Sequence, residues 1–351
     1  MPNVSPGRGL RSRLPLVATA LTLVTTLSSC GLLGGSDDES ETPSGGNGNL
    51  ETTDLTISIM KPTDLAPFHL AMQEGFFEDE GLNVTPVDAP SGQDSLNMLM
   101  GGDVDIAYSS YTPFFLMEAQ KLAQDKGGIK LVADASSAGP NSCVVVATSN
   151  SKVKRIEDME GAKVAVTAEN TISDLLVKSA LKSNGFNEEQ IKSIQWIETP
   201  FPQTAEVLSS GAVDAAFATE PFIQDTEKRA GAAPIFDTAV GPTADMPTAG
   251  YGSTGQFVEE NPNTIDAFQR AMQRATDLAL SDRGLVEPLL VEFAGVDEET
   301  AKMATLLTFQ SKLDESRLQR VPDLMLEFGV INEKLDVSTM IVPTAPLESE
   351  S

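Results

Sequence analysis

From residue 54 onward, short apolar runs alternate with longer stretches of helical spacing. Residues 54–60 show the period-2 alternation of a half-buried strand. Residues 66–75 read as a helix, and 76–84 turn into a second strand. Ser91-Gly92-Gln93-Asp94 opens a helix that reaches Met100, a third strand follows, 111–124 is another helix and 129–133 another strand. This alternation predicts a mostly parallel sheet with helices on both faces. The apolar strand at 141–148 then crosses over to a second set of elements: a short helix, turn and strand at 156–166, a helix capped by Thr171 or Ser173 that ends at Asn184-Gly185, a strand at 194–197 and a helix at 202–210. A strand at 234–237 follows, and 248–256 is expected to return the chain to the first sheet. Residues 262–280, 285–293, 298–306 and 318–328 read as amphipathic helices, and 344–351 as a frayed end.

One pattern occurs twice. Leu99, Gly102, Val104, Asp105, Ala107 and Tyr108 stand in the same order and spacing as Leu208, Gly211, Val213, Asp214, Ala216 and Phe217, 109 residues later. In each copy a helix stops at a Gly suited to the left-handed conformation of a helix C-terminus, and a short buried strand follows. Two such copies predict two similar α/β units rather than a solenoid.

Composition sharpens this. The chain of 351 residues is long enough for two cores, and its formal charge of −27 argues against nucleic acid or an anionic membrane surface as partner. Arg8, Arg11 and Arg13 precede an apolar stretch at 14–27, and Leu27-Ser28-Ser29-Cys30 resembles a bacterial lipobox. Residues 1–29 are therefore expected to be a lipoprotein signal peptide with Cys30 as the lipidated residue. Loss of its three Arg would take the charge to −30. The polar stretch after Cys30 reads as a disordered tether. Cys143 is then the one remaining thiol, so no internal disulfide is expected, and a single His and scattered carboxylates offer no metal site. No cofactor is expected.

Three ordered motifs carry a family resemblance. Gly75-Phe76-Phe77-Glu78-Asp79-Glu80-Gly81-Leu82-Asn83-Val84, the stretch 156–166 and the stretch 211–221 resemble signatures of the NMT1/THI5-like (SsuA/THI5-like) solute-binding proteins of ABC importers. The resemblance covers roughly residues 54–300. It implies an α/β fold of the type II periplasmic-binding-protein kind, with two lobes, two crossover strands and a ligand cleft between the lobes. The expected organisation is a signal peptide at 1–29, lipidated Cys and tether at 30–52, lobe one at 53–140 plus 248–340, lobe two at 141–247 and a tail at 341–351. It also implies an extracytoplasmic, lipid-anchored, monomeric receptor that closes on a small solute and docks on a permease with its ATPase, with hinges near 141–146 and 248–252.

Ligands in open α/β sheets bind beyond the C-terminal strand ends. That rule selects, in lobe one, Lys61 and Asp64 after the first strand, Ser91, Gly92 and Gln93 at a helix start, and Tyr108, Ser109 and Tyr111 after the third strand. Phe68 and His69 are placed to close the site. In lobe two it selects Thr167, Asn170 and Thr171, then Phe201, then Glu220, with Asn141 at the crossover. Ser91 and Thr171 sit at helix N-termini, where free N–H groups favour an anion or carbonyl oxygen. These loops carry Asp64, Glu169 and Glu220 with Lys61 as their base and no Arg, the usual bidentate partner of a sulfonate. The expected cargo is a neutral or cationic organic solute, such as a nitrogen heterocycle of the thiamine-pyrimidine kind. The alternative is a nitrate, sulfonate or taurine receptor. A remoter alternative is a pyrimidine-synthase-like enzyme, which would need a catalytic His and a cysteine cluster. His69 is present and the cluster is not.

Overall fold

Among the described residues, 50–347, the computed structural model places eleven strands in two sheets. In chain order these are β1 (Asp54–Ile59), β2 (Asn83–Asp88), β3 (Ile106–Ser110), β4 (Ile129–Ser137), β5 (Cys143–Thr148), β6 (Lys163–Val166), β7 (Gln195–Glu198), β8 (Ala215–Thr219), β9 (Ala232–Asp237), β10 (Pro247–Thr254) and β11 (Thr308–Phe309). The first sheet runs β11-β4-β10-β3-β1-β2 and the second β7-β6-β8-β5-β9. This is the two-sheet α/β architecture expected. Cys30, the leader before it and the tether as far as residue 49 lie outside the described residues.

The repeated pattern is one joint built twice. β3 pairs parallel with β1 and antiparallel with β10, and β8 pairs parallel with β6 and antiparallel with β5. In each sheet the antiparallel neighbour is the strand that has crossed from the other sheet. Gly102 and Gly211 take φ of +79° and +69° at the helix ends, a conformation in which a side chain is strained. The two acids then do the same work. Asp105 donates its N–H to the Thr56 carbonyl at 2.8 Å and accepts the Thr56 N–H on Oδ2 at 2.8 Å. Asp214 donates to the Lys163 carbonyl at 2.8 Å and accepts the Lys163 N–H at 2.7 Å. A serine from the antiparallel side closes each joint, Ser253 on the Asp105 carbonyl and Ser151 on that of Asp214. Alanine at either acid leaves a strand N–H short of its protein partner, half-buried at Thr56 and exposed at Lys163. Each substitution should cost about 1–2 kcal/mol by urea unfolding, and a loss below the error of the measurement would show the acids to be idle.

Apolar packing crosses between the sheets. Leu131 of the first, with Phe114 from helix Tyr111–Ala119, shares one buried cluster with Val145, Val164 and Phe217 of the second, and Met246, Leu318 and Met325 belong to the same cluster. A second cluster lies on the other face of the first sheet, where helices Ala66–Gln73 and Pro262–Ser281 bring Phe68 and Phe268 onto Ile57 and Ile106. The two crossover segments are tied together: Ala138 N–H bonds the Met246 carbonyl at 2.8 Å, and Asp245 N–H bonds the Ala138 carbonyl at 3.1 Å.

Some elements differ from expectation. The helix after β3 stops at Ala119 rather than 124, and helix Phe222–Ala230, whose amphipathic pattern is short and highly charged, was not expected. The stretch expected to fray is docked as far as Ala345. Met340 and Val342 bond Leu131, and Ala345 is clasped by the amides of Gln269 and Gln273. Residues 50–52 of the expected tether are likewise held, with Glu51 accepting from the Thr264 N–H at 3.1 Å.

Candidate functional site

The C-terminal ends of β1, β3 and β4 and the start of β10 share one end of the first sheet. Asp64 lies there, in the short helical turn Thr63–Leu65 after β1, and is 2% exposed. Ser136 donates its hydroxyl to Asp64 Oδ2 at 2.6 Å, and Ser136 and Thr248 hydroxyls are 2.7 Å apart. The Tyr108 hydroxyl approaches the same carboxyl. Burial pushes the Asp64 pKa up, and these hydroxyls pull against it. Its charge is also among the causes that raise the Cys143 thiol, at the first position of β5. Asp64 Oδ1, Thr63 Oγ1, Ser109 Oγ and the Tyr251 hydroxyl are buried without a hydrogen-bond partner.

A second polar group lies at the same sheet end. Tyr111 donates its hydroxyl to Asp134 Oδ1 at 2.7 Å, Arg317 Nη1 bonds Asp134 Oδ2 at 3.1 Å, and Arg317 Nε bonds Asp245 Oδ2 at 3.2 Å. Ser137 donates to the other oxygen of Asp245. Burial pushes the Asp134 carboxyl up to about 6 despite the Tyr111 hydroxyl and the guanidinium. The nearby Arg320 holds the carbonyls of Pro242, Ala244 and Asp245. Helix Glu315–Glu327 thus grips the returning crossover with two arginines. An arginine does stand at this end of the sheet, supplied from far along the chain, and two carboxylates occupy it.

In the second sheet Thr167, Thr171 and Ser173 form a hydroxyl cluster at the start of helix Ile172–Ser183, with Thr167 Oγ1 to Ser173 Oγ at 2.9 Å. Thr171 N–H bonds Asp174 Oδ1 at 2.8 Å, and Lys178 neutralises that buried acid. Asn170 precedes the helix in an exposed left-handed conformation, φ +62°. Phe201 stacks on Phe222 with centroids 4.8 Å apart. Glu220 is 2% exposed and links the halves: Oε1 accepts from the Thr305 N–H and Oε2 from the Gln224 N–H, each at 3.3 Å. Asn141, exposed at φ +61°, donates its N–H to Asp237 at the end of β9.

Asp64, Tyr108 and Ser109 therefore share one end of the first sheet, with Tyr111 just behind. Ser91 caps helix Gly92–Gly101 by accepting from the Asp94 N–H at 3.1 Å, and Gly92 leaves room for the Ser109 hydroxyl. Gln93 is exposed and bonds Asn97. Lys61 is exposed and enters no ion pair among the described residues. Phe68, expected to wall the site, is fully buried on Phe77 and Tyr251, because it lies on the core face of its helix. His69 stacks on Phe293 at 4.1 Å, and burial lowers its pKa to about 4, so it is neutral at pH 7. Burial likewise pushes the Cys143 thiol up to about 12, far from a reactive thiolate.

Sequence reasoning missed Thr63, Ser136, Thr248, Tyr251, Asp134 and Arg317. One signal was present: Asp134 and two serines interrupt an otherwise apolar strand, and a buried polar residue in such a run needs partners. Surface hollows of about 180 and 360 Å³ lie elsewhere, one by Leu99, Val104 and Phe257 and one by Gln273, Lys312 and Leu347.

The sequence profile of the NMT1-like family matches residues 48–284. The alkanesulfonate-binding protein SsuA from Xanthomonas axonopodis pv. citri, bound to MOPS, aligns at TM-score 0.69 and 15% identity over 84% of this chain and 99% of that one. The periplasmic aliphatic sulphonate binding protein SsuA from Escherichia coli aligns at 0.68 and 20% over 86% and 95%. The periplasmic nitrate-binding protein NrtA from Synechocystis PCC 6803 aligns at 0.69 and 18% over 83% and 86%. No curated protein sequence matches the chain.

Proposed function

The chain belongs to the NMT1-like family, and from that premise we propose that it is the solute-binding receptor of an ABC importer and not an enzyme. It is exported, held by lipid at Cys30 on the outer face of the cell membrane, and works as a monomer. The observation that carries this reading is the polar cluster at the C-terminal end of the first sheet. Buried atoms of Thr63, Asp64, Ser109 and Tyr251 lack partners there, and a buried polar atom without a partner costs about 1–3 kcal/mol. A solute that supplies those partners recovers the cost. The neutral, stacked His69 and the un-ionised Cys143 give no support to a nucleophilic or acid–base reaction.

In this reading two lobes, 53–140 with 248–340 and 141–247, close by bending in the crossovers near 141–146 and 248–252, and the closed form docks on a permease. Differential binding of a few kcal/mol is enough to shift the open and closed populations. The cargo is a small organic solute, with nitrogen heterocycles of the thiamine-pyrimidine kind favoured by the shortage of free cations. A nitrate or sulfonate cargo is the second reading, favoured by the helix N-termini at Ser91 and Thr171 and by what the similar structures are named as binding.

Thermal unfolding of the purified protein against sulfonates, nitrate, amines, pyrimidines and flavins tests the receptor reading. A cargo at 100 times its dissociation constant adds about 2.7 kcal/mol, and the shift grows with the logarithm of concentration. Small-angle scattering of the same sample should show a smaller radius of gyration with cargo bound. Consumption of a bound compound in place of a reversible shift would make the protein an enzyme and end the receptor reading.

A further inference from the structure

Asp64 differs from the other buried acids of this fold in what answers its carboxyl. Asp134 has Arg317, Asp174 has Lys178 at 2.5 Å, and Glu220, which also enters no ion pair among the described residues, accepts a backbone N–H on each oxygen. Asp64 enters no ion pair among the described residues, although it is 2% exposed. Its partners are neutral hydroxyls. Ser136 donates to Oδ2, Tyr108 approaches the carboxyl, and Oδ1 is buried with nothing bonded to it. Two further unpartnered groups stand beside it. Thr63 is its neighbour in the chain, and the Tyr251 ring lies 5.5 Å from that of Tyr108, close enough to Asp64 for the carboxylate to raise the Tyr251 phenol. Ser109, on the other face of β3, adds an unpartnered hydroxyl beside Gly92.

The chemistry of that floor is selective. Burial disfavours the ionised form of Asp64, and a cationic donor at Oδ1 restores it; in that form the carboxylate only accepts hydrogen bonds, so what completes Oδ1 is a donor. A buried carboxylate without a counter-charge is unfavourable, and a cationic donor relieves both deficits together. A sulfonate or nitrate brings acceptor oxygens and a like charge, and so relieves neither. The hydroxyls of Thr63 and Tyr251 can donate or accept, and they suit the polar rim of an organic cation.

We propose that Asp64 is the specificity-determining residue of the cleft, and that the cargo presents a charged N–H donor, an ammonium or a protonated amidine, to Asp64 Oδ1 with the Thr63 and Tyr251 hydroxyls flanking it. This rests on the receptor reading and narrows it to a class of cargo opposite in charge to sulfonate and nitrate.

Isothermal titration of the full chain with agmatine, ethanolamine, 4-aminopyrimidine, ethanesulfonate and nitrate tests the assignment, alongside mass spectrometry of the small molecules released when the purified protein is denatured. The expected result is that an N–H donor binds or is released and that the anions do not bind. Asp64→Asn, which keeps the shape and removes the charge, should then weaken binding of that donor at least 100-fold. Tyr251→Phe removes an unpartnered hydroxyl alone and should weaken it about tenfold with the fold intact, which keeps the test decisive if Asp64→Asn folds poorly. Equal affinity in Asp64→Asn and the native protein overturns the role of Asp64. Binding or release of a sulfonate or nitrate with no N–H donor overturns the cargo class and leaves the receptor standing. No binding and no released molecule takes down both.

Discussion

Arg317→Met should destabilise the protein by about 3 kcal/mol at pH 8 and by much less at pH 5. Removing one partner of a buried ion pair typically costs about 3–5 kcal/mol, because the other charge is stranded. Here the stranded group is Asp134, whose carboxyl is fully buried and bonded to the Tyr111 hydroxyl. Methionine keeps most of the apolar stem, so lost packing contributes little. The cost has a ceiling set by proton uptake. Burial already pushes the Asp134 carboxyl to about 6, above its ordinary 3.8. The folded protein therefore holds a proton that the unfolded chain has released between about pH 4 and 6. The sign follows: this group's contribution is fully favourable below about pH 4 and is lost as pH rises through 6. Without Arg317 the folded pKa rises further, so at pH 5 the carboxyl is neutral with or without the guanidinium and little is lost. At pH 8 either a proton or an unpaired charge must be accommodated. Urea unfolding of both proteins at the two pH values decides the matter. An equal loss at both would place the effect in packing, and no loss at pH 8 would show that the pair does not hold the crossover.

Much of the architecture was readable because it rests on local rules. The duplicated pattern predicted two like units, and the structure explains why six positions repeat. Leu99 and Leu208 bury the ends of their helices, the two glycines turn the chain, and Asp105 and Asp214 extend a parallel ladder by one residue. None of those roles depends on distant sequence. Helix Phe222–Ala230 was invisible because just Ile223 and Thr226 are buried in it, too few to show a period. The docking of residues 341–345 was invisible for another reason. It depends on Gln269 and Gln273, which lie on an otherwise ordinary helix and reveal their purpose when Ala345 lies between them.

The candidate site was legible by place and not by membership. The rule that ligands lie beyond strand ends put Asp64, Tyr108 and Ser109 at one end of the first sheet, where the structure also has them, because those positions follow from where β1 and β3 stop. It could not find Ser136, Thr248 or Tyr251. They come from β4 and β10, which pair with each other, and β10 finds its register on β3 across some 140 residues of intervening chain. It also misjudged Phe68. An aromatic two residues into a helix beside a cleft faces solvent or core according to a rotation of about 100° per residue, which the sequence leaves open there. The charge argument shows the same limit. Arg317 is remote in sequence and adjacent in space, and its Nη1 and Nε are committed to two carboxylates while its buried Nη2 has no partner.

Gly250→Ala should cost about 3 kcal/mol, an unusually large effect for one methyl group. Gly250 pairs with Ser109 on one side and Asp134 on the other, in the middle of the strand that returns to the first sheet. A Cβ at this position would lie 2.7 Å from Tyr111 Cζ and 2.9 Å from the Ala133 carbonyl oxygen. Neither neighbour can give. Ala133 belongs to the paired backbone of β4. Tyr111 is fully buried, stacked on Phe115 at 5.8 Å and tethered to Asp134. Overpacking of this kind costs about 1–3 kcal/mol. If the ring moves, Asp134 also loses a donor in a buried place, which costs about 1–3 kcal/mol more. The two terms overlap, since a ring that yields relieves the clash as it breaks the bond. A double-mutant cycle with Tyr111→Phe separates them. If the alanine acts by displacing the tyrosine from Asp134, the hydroxyl is already lost in Gly250→Ala, and Tyr111→Phe should add little to it. Additive losses would show that the ring holds its place and that β4 moves, which would put the strain on the backbone leading to Ser136 and the floor of the cleft.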